Sequence, residues 1–192
     1  MKETTMKVRE LMVPLEEYAS VSENATMYEA VRALERAQEN LDMDRYKYLH
    51  RGVLVFNKKK KIVGKISQLD ILRGLEPKYQ KMGDPAVLAR AGFSTDFLHC
   101  MLEQYSLFSD PLSEICNKAT NMRVKDIMSS LVDGEYVEAD ATLNIAIHCM
   151  VMGHFQSLLV SDKKRIVGVL RLTDVFMEVF HKMENCCFVE DI

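Results

Sequence analysis

Two hydrophobic patterns alternate along this chain, one with the short runs of strands and one with the period of helices, and their order recurs. Short apolar runs stand at Val53-Leu54-Val55 and Ile62-Val63, and again at Leu158-Leu159-Val160 and Ile166-Val167. They are separated by the polar turns Asn57-Lys58-Lys59-Lys60 and Ser161-Asp162-Lys163-Lys164. Short apolar runs bounded by turn residues predict paired strands: Gly52 to Phe56 with Lys61 to Ile66, and Ser157 to Val160 with Arg165 to Leu170. A helix precedes each pair. Thr26-Met27-Tyr28-Glu29 reads as a capping box opening a helix whose apolar stripe is Ala30, Val31, Leu34 and Ala37, and Thr142 is the matching N-cap. Short strands near Val21 and Val137 lead into these helices. Closing helices are predicted over Gln68 to Arg73, before Gly74, and over Leu172 to about Met183.

The order β-α-β-β-α therefore occurs twice, and residue identities say why. Val8-Arg9-Glu10-Leu11-Met12 returns as Val124-Lys125-Asp126-Ile127-Met128 at an offset of 116. Val21, Ala25-Thr26-Met27 and Ala30 return as Val137, Ala141-Thr142-Leu143 and Ala146 at the same offset. The middle strands match at an offset of 105, and Ile62-Val63-Gly64 through Asp70 matches Ile166-Val167-Gly168 through Asp174 at 104. Matches in one order, drifting only between blocks, mark a duplication with changed loop lengths. The expected fold class is α/β (α+β), with helices packed on the apolar face of each sheet. The expected division is 1–73 for the first copy, 74–122 for an insert, and 123–192 for the second copy with its C-terminal helix.

The insert is too long for a plain loop. Asp84-Pro85 and Asp110-Pro111 read as N-caps followed by proline at the first helical position. Between them Phe97, Leu98, Met101, Leu102 and Tyr105 recur on one helical face. Two or three extra helices are expected, either decorating the core or a second subunit, or forming a lid or docking surface.

Composition narrows the class. Apolar residues make up 48% and charged residues 28%, which excludes disordered and collagen-like chains. With 25 Lys and Arg against 28 Asp and Glu the formal charge is −3, so no global field attracts nucleic acid or an anionic membrane. The most apolar stretch, Leu143 to Val160, is broken by Asn144, His148, His154, Gln156 and Ser157, so no membrane span is expected. The start, MKETTMKVRE, lacks the apolar core of a signal peptide. Five cysteines without a C-x-x-C pair fit free thiols and a cytoplasmic location. No P-loop, G-x-S-x-G, G-x-G-x-x-G or H-E-x-x-H motif occurs. His148 and His154, beside Cys149, are six apart and do not share a helical face as metal ligands would. No catalytic or metal-binding residue is assigned, and the chain is read as non-enzymatic.

The candidate binding chemistry lies where each last strand meets its closing helix. Ser67-x-x-Asp70 offers a carboxylate able to accept from a vicinal diol and a hydroxyl beside the free N–H groups of a helix start, which suit phosphate. The same pair also reads as a capping box. In the second copy Asp174 persists although Arg171 replaces the hydroxyl. Side chains alternate along a strand, so Lys65 shares a face with Ser67, and Val169 with Arg171. His50-Arg51 is either a phosphate-binding pair or a solvated strand start. The run Lys58 to Lys61 reads as a solvated hairpin tip, because Lys163-Lys164-Arg165 fills the matching turn.

The repeated V-x-x-[IL]-M block, the A-T-x-x-x-A helix start and the I-V-G-x-h-x-x-x-D ending resemble a tandem pair of cystathionine-β-synthase (CBS) domains, a Bateman module, over about 8–73 and 123–184. The resemblance implies two copies packed about a pseudo-two-fold axis, with clefts that bind AMP, ADP, ATP or S-adenosylmethionine. It implies ribose contacts from Asp70 and Asp174 and a phosphate contact from Ser67. A pair similar to His50-Arg51 serves phosphate in one family member; the second copy has Phe155 and Gln156 there. Arg171 departs from the pattern and puts the second cleft in question. The implied function is a regulatory, energy-sensing module, homodimeric through its helices, that signals to an effector protein. The alternative is a structural dimerisation and protein-interaction scaffold with degenerate clefts. Neither implies a catalytic cofactor, a metal, nucleic acid or a membrane.

Overall fold

The computed structural model of the chain describes residues 6–81 and 92–187. In chain order the described elements are α1 (Val8–Leu11), β1 (Val13–Pro14), β2 (Ser20–Ser22), α2 (Met27–Glu39), β3 (Gly52–Phe56), β4 (Ile62–Ser67) and α3 (Gln68–Gly74). Then come α4 (Thr95–Gln104), α5 (Leu112–Ala119), α6 (Val124–Ile127), β5 (Ser129–Ser130), β6 (Tyr136–Glu138), α7 (Leu143–Gly153), β7 (Ser157–Asp162), β8 (Arg165–Arg171) and α8 (Leu172–Cys187). Asp84-Pro85, expected to open a helix, lies outside the described residues.

The strands form two four-stranded sheets of the same design, ordered β2-β3-β4-β5 and β1-β8-β7-β6. The first pair in each copy is parallel, β2 with β3 and β6 with β7, and the hairpins β3-β4 and β7-β8 are antiparallel. Each sheet is completed by an antiparallel edge strand from the leading block of the other copy: Val13 lies opposite Val169, and Ser129 opposite Lys65. Contacts accordingly gather the chain into two compact units, Ser20–Leu34 with Arg51–Ser130, and Met1–Ala19 with Glu35–His50 and Leu131–Ile192.

The exchanged blocks explain the repeated V-x-x-[IL]-M motif. In one unit Val8 N donates to Ala141 O, Arg9 N to Ala139 O and Leu143 N to Met6 O, each at 3.0 Å. In the other, Val124 N donates to Ala25 O (2.8 Å), Lys125 N to Glu23 O (3.2 Å) and Met27 N to Met122 O (2.8 Å), the same bonds one repeat later. The methionine that ends each block lies on the glycine of the other copy's I-V-G. A Cβ on Gly168 would come 2.5 Å from Val13 O and 2.9 Å from Met12 Sδ; one on Gly64 would come 2.7 Å from Met128 Sδ and 2.9 Å from Ser129 O. All four distances are below carbon contact, so each edge strand can close only over glycine. Val8, Leu143, Ala146, Met150, Leu158, Val160, Leu170 and Val175 form one core. Met27, Ala30, Val55, Ile66, Ala119, Val124 and Ile127 form the other.

Local expectations were met with three corrections. Thr26 caps α2 through a capping box, its N donating to Glu29 Oε2 at 2.6 Å and its Oγ1 accepting from Glu29 N at 3.2 Å. Thr142 occupies the N-cap of α7 as expected but makes no side-chain cap bond: Ile145 N donates to the Thr142 backbone O at 3.1 Å, and Ile145 offers no carboxylate for the reciprocal bond that Glu29 makes in the first copy. Val31 is exposed, because the inward stripe of α2 runs through Met27, Ala30 and Leu34. Pro111, with ψ of 142°, is the N-cap of α5 rather than its first helical residue. Gly74 does not terminate α3 from outside; it is the last helical residue, where a Cβ would meet Met27 Cε at 2.5 Å.

Of the insert, α5 contributes buried Ile115 and Ala119, and the preceding chain is fastened by buried Glu76, whose carboxylate accepts from Phe108 N (2.8 Å) and Lys78 N (3.2 Å). The apolar face on α4 is different: Phe97, Leu98, Leu102 and Tyr105 are all exposed.

Candidate functional site

The serine that ends β4 is also the N-cap of α3, so strand and helix meet at one residue. Ser67 N donates to Asp70 Oδ2 at 2.8 Å, Ser67 Oγ donates to the same oxygen at 2.6 Å, and Asp70 N donates back to Ser67 Oγ at 3.1 Å. The capping box anticipated for this pair is therefore formed. The other oxygen, Oδ1, accepts from Ser129 Oγ at 3.0 Å and faces Arg73 Nη1 at 3.5 Å, the limit of a hydrogen bond. Asp70 is 5% exposed. Its close donors are neutral amides and hydroxyls, which a ligand hydroxyl can match in kind. Burial alternates along β4, which puts Val63, Lys65 and Ser67 on its half-buried face. Arg51, by contrast, is exposed.

The matching position of the second copy has a different chemistry. Arg171 ends β8 and closes a fork on Asp174, with Nε to Oδ2 at 2.5 Å and Nη2 to Oδ1 at 2.7 Å. The side chains are only 5% and 7% exposed. The remaining amino group, Nη1, donates to Tyr48 O at 2.9 Å and lies 3.1 Å from His50 Nδ1. The guanidinium carbon Cζ sits over the Tyr46 ring, 4.9 Å from its centroid. A buried cation thus finds an anion, two further acceptors and an aromatic face, the conditions under which a charge tolerates the interior. Val169, on the same strand face, is buried core.

His50 is wholly buried, its ring 4.7 Å from that of Tyr18 and its backbone O accepting from Gln38 Nε2 at 2.6 Å. A guanidinium only donates, so Nδ1 is the acceptor and the imidazole proton sits on Nε2. That atom is buried with no hydrogen-bond partner among the described residues. Burial, and then the Arg171 charge, push His50 from its ordinary 6.5 down to about 4, against a smaller opposing pull from the Glu17 backbone. At neutral pH it is an uncharged acceptor for arginine, not a cation for phosphate. Burial likewise raises Tyr18 and Tyr46 to about 12; the Tyr46 hydroxyl donates to Glu17 Oε2 at 3.2 Å.

Of the residues singled out from sequence, Ser67 joins Asp70, and Arg171 joins Asp174 and His50. His50 and Arg51, adjacent in the chain, part: one is buried, the other exposed. Tyr18, Tyr46 and Tyr48 were not anticipated. The signal was present, since Tyr46, Tyr48 and His50 fall at every second position ahead of β3. Among the described residues no group of three or more His, Cys, Asp or Glu is placed to hold a metal, and no helix is long and apolar enough to cross a membrane.

Comparison with known proteins bears on this geometry. The sequence profile of the CBS domain matches residues 8–77 and 124–181, more than half of the chain. No curated protein sequence matches significantly. Similar solved structures include a CBS-domain-containing protein of unknown function from Bacillus anthracis, with TM-score 0.59, 13% identity, and coverage of 92% of this chain and 94% of that one. CBSX2 in complex with AMP gives TM-score 0.56 and 17% identity over 91% and 97% of the two chains. The cytosolic domain of the Mg2+ channel MgtE in complex with ATP gives TM-score 0.53 and 21% identity over 88% of this chain and 47% of that one. At these identities the likeness is one of fold.

Proposed function

The chain belongs to the CBS-domain family, with two copies in tandem, and from that premise we propose that it is a non-enzymatic regulatory module that binds an adenosine-containing ligand and passes its state to a partner protein. Residues 1–73 and 123–192 are the two regulatory copies and 74–122 the insert. The observation that carries the reading is Asp70, a buried carboxylate whose Oδ1 accepts a serine hydroxyl at 3.0 Å, beside a helix start capped by Ser67. Ribose hydroxyls replace that neutral donor in kind, while Ser67, Lys65 and Arg51 supply the side chains for phosphate. The AMP and ATP complexes of the two similar structures support an adenine nucleotide, with ADP and S-adenosylmethionine as the other members of the class. Such a module signals only if the ligand binds two arrangements of the protein unequally. We assign it a cytoplasmic, energy-sensing role as a homodimer. Exposed Leu172, Phe176, Phe180 and Met183, on one face of α8, support association through helices.

The test is thermal unfolding with AMP, ADP, ATP, S-adenosylmethionine and NAD, each at about 1 mM. A ligand of the native state present at about 100 Kd stabilises it by about 2.7 kcal/mol, which raises the midpoint by several degrees. A shift for one adenosine compound, lost in Asp70→Ala, supports the reading. No shift with any of them sinks it. A second reading, a dimerisation and interaction scaffold, is favoured by one observation: both oxygens of Asp174 are already taken by Arg171.

A further inference from the structure

Two departures from the repeat meet in space. The offset between the copies falls from 116 to 105, so the first copy carries eleven extra residues between the start of its first helix and its middle strand. Two of them lengthen α2, which has 13 residues against 11 in α7, and the other nine lengthen the connection from Glu39 to Gly52, the stretch that supplies Tyr46, Tyr48 and His50. The other departure is Arg171, which stands where the first copy has Ser67. The extra segment gives Arg171 a ring face at 4.9 Å, a backbone carbonyl at 2.9 Å and an imidazole nitrogen at 3.1 Å. Arg171 in turn covers both oxygens of Asp174.

Resting on the ligand reading above, we propose that Arg171 and the segment 40–50 form a built-in plug that holds Asp174 closed to any small molecule. The chain then binds one nucleotide, at Asp70, and Arg171 is the residue that sets that number. The deciding chemistry is what a ribose can offer. Its hydroxyls are neutral donors, whereas the fork on Asp174 consists of two parallel charge-assisted bonds, roughly twice as strong each. A ligand taking Asp174 from its partner would also leave a buried guanidinium short of its anion. Nor can the arginine simply swing away, because its third nitrogen and its face are engaged as well. The first copy has no such barrier: Arg73 stands 3.5 Å from Asp70, with its side chain 34% exposed.

The experiment is calorimetric titration of the full chain with AMP, and separately with ATP, for the wild type, Asp70→Asn, Arg171→Ser and Arg171→Ser/Asp70→Asn, with circular dichroism confirming the fold of each. The expected wild-type stoichiometry is one per chain, with affinity falling about tenfold or more in Asp70→Asn. Arg171→Ser restores the serine of the first copy and is expected to raise the stoichiometry to two, the new site surviving Asp70→Asn. Wild-type binding of two equivalents, or wild-type binding that survives Asp70→Asn, overturns the plug and leaves the ligand reading standing. Binding by Arg171→Ser alone overturns ligand binding at Asp70 and keeps the plug. A folded Arg171→Ser protein that gains no site overturns the plug. Should that variant fail to fold, the wild-type and Asp70→Asn titrations decide.

Discussion

Replacing Arg171 by methionine tests the buried ion pair most directly, because the thioether keeps the length of the stem and removes only the guanidinium. Both partners are nearly solvent-free, at 5% and 7% exposure. The change strands the Asp174 carboxylate and strips donors from Tyr48 O and His50 Nδ1. Removing one member of a buried pair costs about 3–5 kcal/mol, most of it the desolvated charge left behind. For a chain of this size, at about 2–4 °C per kcal/mol, the midpoint should fall by about 6–20 °C. Ordinary domain stability of about 5–15 kcal/mol leaves the variant largely folded at room temperature. The assay is urea and thermal unfolding followed by circular dichroism, with a second variant, Arg171→Met/Asp174→Leu, measured beside it. Removing both charges should recover most of the loss, since an apolar pair of similar volume fills the same interior without desolvation. Arg171→Met removes a donor from the Tyr48 carbonyl and from His50 Nδ1 as well, so the double variant should recover most but not all of the loss. A loss under about 1 kcal/mol in Arg171→Met would refute the reasoning, because the pair would then behave like a solvated surface bridge.

Three further outcomes follow from the same geometry. His50 is held near 4 in the folded protein against 6.5 ordinarily, so the unfolded chain binds the extra proton. Stability is therefore complete above about pH 6.5 and falls by up to about 3 kcal/mol as the pH drops to about 4; denaturant titrations at pH 7 and pH 5 should show this, with a smaller drop in His50→Gln. Gly168→Ala and Gly64→Ala should each lose about 1–3 kcal/mol from overpacking. Gly168→Ala should be the worse, because its nearest neighbour is the backbone oxygen of Val13 at 2.5 Å rather than a side chain; equal urea midpoints would contradict this. Thr26→Ala should cost about 1 kcal/mol while Thr142→Ala costs little, since only the first threonine makes a cap bond. Comparable losses in the two variants would show that the capping geometry is misassigned.

Much of this protein was legible in its residue order. The duplication, the hairpin pairs and the helices that flank them follow from apolar periodicity and residue identity, which are local properties. The Ser67-Asp70 capping box was legible too, because a helix start is recognised within four residues. Exposure of the α4 stripe was not legible: period alone says that Phe97, Leu98 and Leu102 share a face, and only the packing says whether anything covers it.

What tertiary structure decided is the partnership between residues distant in the chain. Nothing in the V-x-x-[IL]-M block discloses that Met12 packs on Gly168 and Met128 on Gly64, because the exchange of edge strands depends on pairing across more than sixty residues. His50 and Arg51 read together, as either a phosphate-binding pair or a solvated strand start, yet neighbouring side chains in extended chain point in opposite directions. One went into the core and lost its charge; the other stayed in water. Arg171 read as a missing hydroxyl. Its role came from acceptors gathered from positions 46–50 and 174, which converge because a buried guanidinium requires several partners at once. Sequence determined which chemistry each copy holds, and folding determined which of those groups are already satisfied by the protein itself.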